Sequence, residues 1–360
     1  MKPTTLATIT LGLCLITSTA AQVQFTSGST GADGPLNVTS NTTLDLPPDG
    51  IFNFTTINVA SGAALTFNRN PLNTPVYLLA TGDVLVSGFV HVNGQDAVGG
   101  IPGKGGPGGF DGGYSSFPGF PAGSGQGPGG GAPGQPGVFG EGITGNTNIY
   151  GNTLLSPPIG GSGGGGGGTG GGGGGGGAML IASSTKVTIN GDGLASGRGL
   201  GSPDGSGGAI RIVAPVVAGT GIIDVAQSRT GRIRIDSIDR FAHRNLKLFG
   251  KATRGSQMFV FPPNNPKLDI IHAAGTDIPE GTNAAVTVNL PVGESINQIV
   301  RVQARNFTND VPIRVKITPE NAPSATFDAV IAQTSGNPPF ADVQVTLPVD
   351  TVCYVHAWTR

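Results

Sequence analysis

Charge is scarce in this chain: Asp, Glu, Lys and Arg make up 11% of its 360 residues, and the net charge is −1. A chain so weakly charged builds no global field toward nucleic acid or an anionic membrane. Cysteine is scarcer still, with two residues. Cys14 falls in an N-terminal apolar stretch, which leaves Cys353 alone and excludes an intramolecular disulfide. A lone cysteine in a strand pattern reads as a packing residue, not a nucleophile. No apolar run reaches the ~20 residues of a membrane-spanning helix. Sustained helical periodicity is missing as well, which removes helix bundles and alternating α/β folds from consideration.

The N-terminus has the order of a secretory signal. Lys2 precedes the apolar stretch Leu6 to Ile16, and the small residues Thr19, Ala20 and Ala21 follow. Residues 1–21 are therefore expected to be a signal peptide cleaved after Ala21, and the protein to be secreted or held at the cell surface.

What the chain has in abundance is glycine, 64 residues, with 28 prolines. Between the glycine-rich parts lies internal repetition. Val76–Gly94, Ala178–Gly197 and Ala209–Ala226 each run through a short apolar strand, a small or polar corner, a second alternating strand, a glycine and a third short strand. A partial copy covers Thr56–Phe67, and Arg232–Asp239 looks like a closing copy. Units that each bury one apolar row and cannot fold alone are the mark of a stacked repeat. The expected fold is all-β: a right-handed parallel β-helix over 22–245, a linker at 246–255, and a small Ig-like β-sandwich over 256–360. The sandwich rests on period-two segments at Lys267–His272, Ala285–Leu290, Gln298–Ala304, Ile313–Thr318, Asp342–Leu347 and Cys353–Trp358. An antiparallel sandwich or barrel throughout is the competing reading of the repeats.

A glycine-rich insertion, about 99–177, separates the first two copies and ends in the near-pure run Gly160–Gly177. It cannot bury enough apolar surface for an ordinary core. It is either a flexible excursion from a corner or a bundle of extended polyproline-II-like strands, which glycine allows to approach and bond through their backbones. Phe110, Tyr114, Phe117, Phe120 and Phe139 punctuate it. They are either anchors that pin the insertion to the side of the helix or contacts for a sugar or an apolar partner. Residues 229–254 are the most basic stretch, with Arg232, Arg234, Arg240, Arg244, Lys247 and Lys251. They read as a solvated last coil with Arg234 and Asp236 compensating, or as a patch for acidic polysaccharide or envelope lipid.

Catalytic and metal patterns are thin. Asp83, His91, Asp96, Asp192, Asp204 and Asp224 make no dense cluster for general acid–base work, and most of these aspartates adjoin glycine at corners. The four histidines, His91, His243, His272 and His356, lack ligand spacing. Asn190–Gly193 and Ser202–Gly208 are fragments of calcium turns without a full acidic loop. The glycine runs are not phosphate loops, because no Gly-Lys-Ser or Gly-Lys-Thr follows. No catalytic, cofactor or metal site is assigned. Asn37, Asn41, Asn53 and Asn306 open N-x-Thr sequons.

Asn37–Val59, the glycine insertion and Gly207–Pro215 together resemble a group of uncharacterised secreted bacterial proteins. That group carries glycine-rich inserts on a parallel β-helix reminiscent of pectate-lyase-like and adhesin folds. The resemblance covers about 30–240 and implies architecture, with no catalytic motif to carry over. The leading expectation is an exported, non-catalytic structural or adhesive surface protein, with polysaccharide, envelope or self-association as partners. A carbohydrate-active β-helix enzyme with a sugar-binding sandwich, and an extracellular filament subunit, are the alternatives.

Overall fold

The computed structural model describes residues 25–138, 150–191, 193–197, 199–226, 231–282 and 285–360. The expected signal peptide 1–21, Cys14, Phe139, Asp192 and residues 229–230 lie outside the described residues. Among the described residues every regular element is a β-strand, and no helix is long and apolar enough to cross a membrane.

Up to residue 255 all strand pairing is parallel, in three columns. The first holds β3 (Ile51–Phe54), β6 (Val76–Ala80), β9 (Ala178–Ser183), the first half of β12 (Ala209–Gly219), β14 (Arg232–Asp239) and β16 (Lys251–Gly255). The second holds β1 (Leu36–Val38), β4 (Ile57–Val59), β7 (Val84–Val86), β10 (Lys186–Ile189) and the second half of β12. The third holds β2 (Thr42–Asp45), β5 (Ala64–Asn68), β8 (Phe89–His91), β11 (Gly193–Ala195), β13 (Ile222–Asp224) and β15 (Lys247–Phe249). Each pass of the chain through the columns thus lies on the previous pass. The repeats seen in the sequence are these passes, and the pairing rules out antiparallel hairpins here. The stretch read as a linker, 246–255, carries β15 and β16, which pair with β13 and β14 as a further pass.

The register stacks like residues on like. Val76, Met179, Ile210 and Ile233 form one ladder, and Phe52, Leu78, Ile181, Ile212 and Ile235 a second. Leu65, Val90, Leu194, Ile223 and Leu248 form a third. These rows meet in one core. Burying each such side chain contributes about 1.5–3 kcal/mol, and an isolated pass has none of its ladder contacts. The outer face of the first column is covered as well: Leu79, Leu180, Ala182 and Val213 pack against Phe25 and Val260. Arg211, on that face, is fully buried. It bonds Asp236 at 3.3 Å and the carbonyl of Phe259 at 2.9 Å, and lies over the Phe259 ring. Residues 257–261, expected inside the sandwich, are therefore strapped to the stack.

Beyond residue 266 pairing is antiparallel. β17 (Lys267–Ala273), β18 (Thr276–Asp277), β19 (Asn297–Arg305) and β22 (Phe340–Thr346) make one sheet. β20 (Val311–Pro319), β21 (Ala325–Ile331) and β23 (Cys353–Thr359) make the other. Both contribute to one core. Ala285–Leu290, expected as a strand, forms no strand and is largely exposed, because alternation without a neighbouring edge has nothing to bond. Ala325–Ile331 is a strand that the sequence reading passed over.

Candidate functional site: the tip of the glycine bundle

After β8 the chain leaves the stack and returns at β9, and between these points the glycine segments bond to one another. Residues 172–177 show how. Gly172 and Gly175 donate to the carbonyls of Gly113 and Phe110; Gly173 and Gly176 donate to Pro203 and Ser206; Gly174 and Gly177 donate to Gln95 and Val92. Three successive residues serve three different neighbours, and the next three repeat the set. That is the three-residue turn of a polyproline-II strand packed on several sides. Phe110, Gly113 and Ser116 likewise donate to Gly161, Gly164 and Gly167. Close packing leaves no room for side chains: a Cβ on Gly174 would lie 2.0 Å from the Lys104 oxygen, and one on Gly112 2.0 Å from the Gly172 oxygen. Residues 199–208, between β11 and β12, join the same bundle, so the insertion expected at 99–177 has a second contributor.

The far turns of the bundle converge. The turn Val98–Ile101 is closed by bonds between those two residues, and Phe117–Phe120 likewise. Ser115 donates to Gly100 O, Gly171 to Gly99 O, Ser116 to Gly167 O and Ala97 to Leu200 O, which sets the turns side by side. Their side chains face outward. Val98 is 75% exposed, Ile101 62%, Leu200 52%, Phe117 50% and Phe120 48%. The two phenylalanine rings stack with centroids 4.5 Å apart. Four of these large apolar side chains sit on the two turns and Leu200 on the neighbouring segment 199–208, each about half or more exposed, and a contiguous apolar patch is the usual form of an interaction surface. A shallow depression of about 330 Å³ adjoins them, lined by Gly167, Ser202, Pro203 and Asp204 among others.

The other aromatics have a different place. Phe110 is half-buried and meets the His356 ring edge-on at 5.6 Å. It anchors the bundle to the C-terminal sheets, not to the side of the stack. Around it the Lys316 ammonium, buried in β20, donates to the carbonyls of Gly127 at 3.0 Å and Gly125 at 3.2 Å. Burial lowers its pKa to about 8. Burial, then the Lys316 charge, lowers His356 to about 4, against a smaller opposing effect of Asp111. Burial by itself would raise Asp111. Arg69, Lys104 and the Gly105 amide outweigh it and hold that carboxyl below its ordinary value. Tyr114 lines a cleft with Glu320, Tyr354 and Thr318 of about 10 Å³, room for one water and too small for a sugar ring.

Of the two arginines singled out, Arg232 is half-buried in β14. Arg234 is 7% exposed and grips Asp236 with Nε and a terminal nitrogen, the latter at 2.6 Å. Its charge is spent inside, so it does not contribute to a surface patch. Among the described residues the exposed cations of this region are Arg240, Arg244, Lys247, Lys251 and Arg254. The aspartates of the corners serve a hydroxyl or the backbone: Asp83 accepts from Thr185, Asp96 from the Leu200 amide, Asp204 from the Gly201 amide and Asp224 from the Ala226 amide. His91 lies 3.2 Å from the Asn93 amide nitrogen, and burial lowers its pKa. Burial, followed by the Glu320 charge, pushes the half-buried Cys353 thiol up to about 11, which keeps it protonated and unreactive. Among the described residues no group of three His, Cys, Asp or Glu is placed to hold a metal ion.

Val98, Ile101 and Leu200 escaped the sequence reading of the tip. A signal for the bundle was present: Ile101, Lys104, Pro107 and Phe110 recur every third residue, while Gly103, Gly106, Gly109 and Gly112 fill the tight positions between them. Compared with known proteins, the chain matches no family model, no curated protein and no solved structure.

Proposed function

We propose that this is an exported, non-catalytic adhesive protein that meets its target through the apolar tip of the glycine bundle. In this reading the parallel passes are a right-handed β-helix serving as a stiff support, and the C-terminal sheets are an Ig-like sandwich that braces the bundle from the other side. One observation carries the proposal: Val98, Ile101, Phe117 and Phe120 on two turns, and Leu200 on the segment bonded beside them, are exposed together in a dense backbone hydrogen-bond network that holds them in place. Rigid presentation lowers the ordering cost of binding, and large apolar groups at the centre of a patch carry most of an interface's energy. The turns 98–101 and 117–120 hold no charged residue, which suits a neutral partner with an apolar face.

The test is retention of the secreted protein on cell envelopes and on neutral insoluble polysaccharide. Phe117→Ser with Phe120→Ser should lower retention by about tenfold or more, the effect of losing ~1.4 kcal/mol or more, while leaving thermal unfolding unchanged. Equal retention of wild type and variant, or release of reducing or unsaturated sugar ends from the polysaccharide, sinks the adhesive reading.

A further inference from the structure

The two ends of the parallel stack differ in charge and share an open architecture. At the N-terminal end β1 and β2 each pair on one side only, and at the C-terminal end β15 and β16 do the same. Residues 25–68, which form the first passes, contain Asp33, Asp45 and Asp49 and no lysine or arginine. All three carboxylates are exposed. Residues 238–255, the last pass, expose Arg240, Arg244, Lys247, Lys251 and Arg254 against the single carboxylate Asp239. The ends of the core are incompletely covered too: Leu36, Leu44 and Phe52 at one end and Leu248 and Ala252 at the other are only partly buried. Phe241 and Phe249 stand 76% and 50% exposed beside the last pass.

From this we propose that the C-terminal end of one copy docks on the N-terminal end of a second copy, β15 against β2, so that the parallel columns run on from chain to chain. Three features select this partner. Both edges belong to the same column, so strand direction and spacing already match. The cations of the last pass face a carboxylate-bearing end, which steers the encounter and fixes its polarity. Lysine on a strand edge normally repels a like edge; here it blocks pairing of two C-terminal ends and leaves the acidic end as the complement. A head-to-tail contact of this kind uses two different surfaces and does not close on itself, so it propagates as a filament. The bundle tip is not part of either surface, and the inference stands apart from the adhesive reading.

Sedimentation velocity on the full secreted chain tests it. At low ionic strength the wild type should form species larger than a monomer in a concentration-dependent way. Association should weaken on the order of tenfold or more at about 1 M salt, where the screening length falls to ~3 Å. Arg244→Glu with Lys247→Glu reverses one end, and Asp45→Lys with Asp49→Lys reverses the other. Each variant alone should be monomeric, and an equimolar mixture should associate again in alternation, because the unaltered basic end of one variant meets the unaltered acidic end of the other and the two reversed ends complement each other. That rescue also establishes that both variants are folded. A monodisperse wild type at low salt, association that survives both reversals, or a mixture that stays monomeric overturns the proposal.

Discussion

The parallel stack and the glycine bundle solve the same packing problem with opposite materials. In the stack, backbone bonds run from pass to pass and side chains fill the space between the columns: Leu194 and Ile181 are fully buried among other aliphatic groups. In the bundle there is no side-chain space to fill. Backbones lie against backbones, and each glycine from Gly171 to Gly177 has a neighbour's oxygen where a Cβ would go. The stack therefore depends on what each side chain contributes, and the bundle on side chains being absent. A conformationally costly residue is tolerable there because each residue fixed also gains a buried backbone hydrogen bond.

This contrast can be broken by substitutions with opposite logic. Ile181→Ala in the stack should cost about 3–5 kcal/mol, since it removes a ladder member and leaves a cavity. Gly174→Val in the bundle should cost about 3 kcal/mol or more by the reverse route, by forcing two backbones apart. Both are read from denaturant midpoints; a Gly174→Val variant as stable as wild type would mean that the backbones are not in contact. Hydrogen exchange sharpens the same point. The amides of Gly172, Gly175 and Gly176 should be protected as strongly as those of β9, and exchange within seconds would return the insertion to a flexible excursion.

Smaller effects are expected where the bundle meets the C-terminal sheets. The His356 pKa is lower in the folded protein, about 4, than its ordinary value. Its contribution to stability is then fully present above pH ~6.5 and lost as pH falls through about 4. Allowing for partial exposure, the loss is about 2 kcal/mol, and His356→Phe should flatten it in thermal melts across this range. Lys316 is depressed in the same sense, to about 8. Stability should therefore rise as pH climbs from about 8 toward the unfolded lysine value, and Lys316→Met should remove that rise. The smallest effect belongs to Gly168, at a turn with open space around its Cβ position: Gly168→Ala should stay within about 0.5 kcal/mol of wild type.

Legibility in the sequence followed the same divide. The stack was readable because each pass buries alternating residues, and Val76–Gly94 and Ala178–Gly197 repeat that alternation in plain sight. The bundle was harder to read. Within Gly160–Gly177 a three-residue period leaves no mark, because inward and outward positions carry the same residue. The mark survives only where outward positions hold side chains, as at Ile101, Lys104, Pro107 and Phe110. The Arg234–Asp236 pair, two residues apart, was legible, but nothing local to Arg211 announces that Phe259 will cover it.

The sequence by itself determined the strand periods, the repeat of the passes, the glycine content and the charge contrast between the first and last passes, because all of these are local or compositional. Only the tertiary structure decided which glycine meets which carbonyl, that Val98 and Leu200 join Phe117 and Phe120 at one tip, and that Lys316 seats itself among the carbonyls of Gly125 and Gly127. The Lys316 contacts join residues 189 and 191 positions apart in the chain, and no local pattern encodes a partner at that distance.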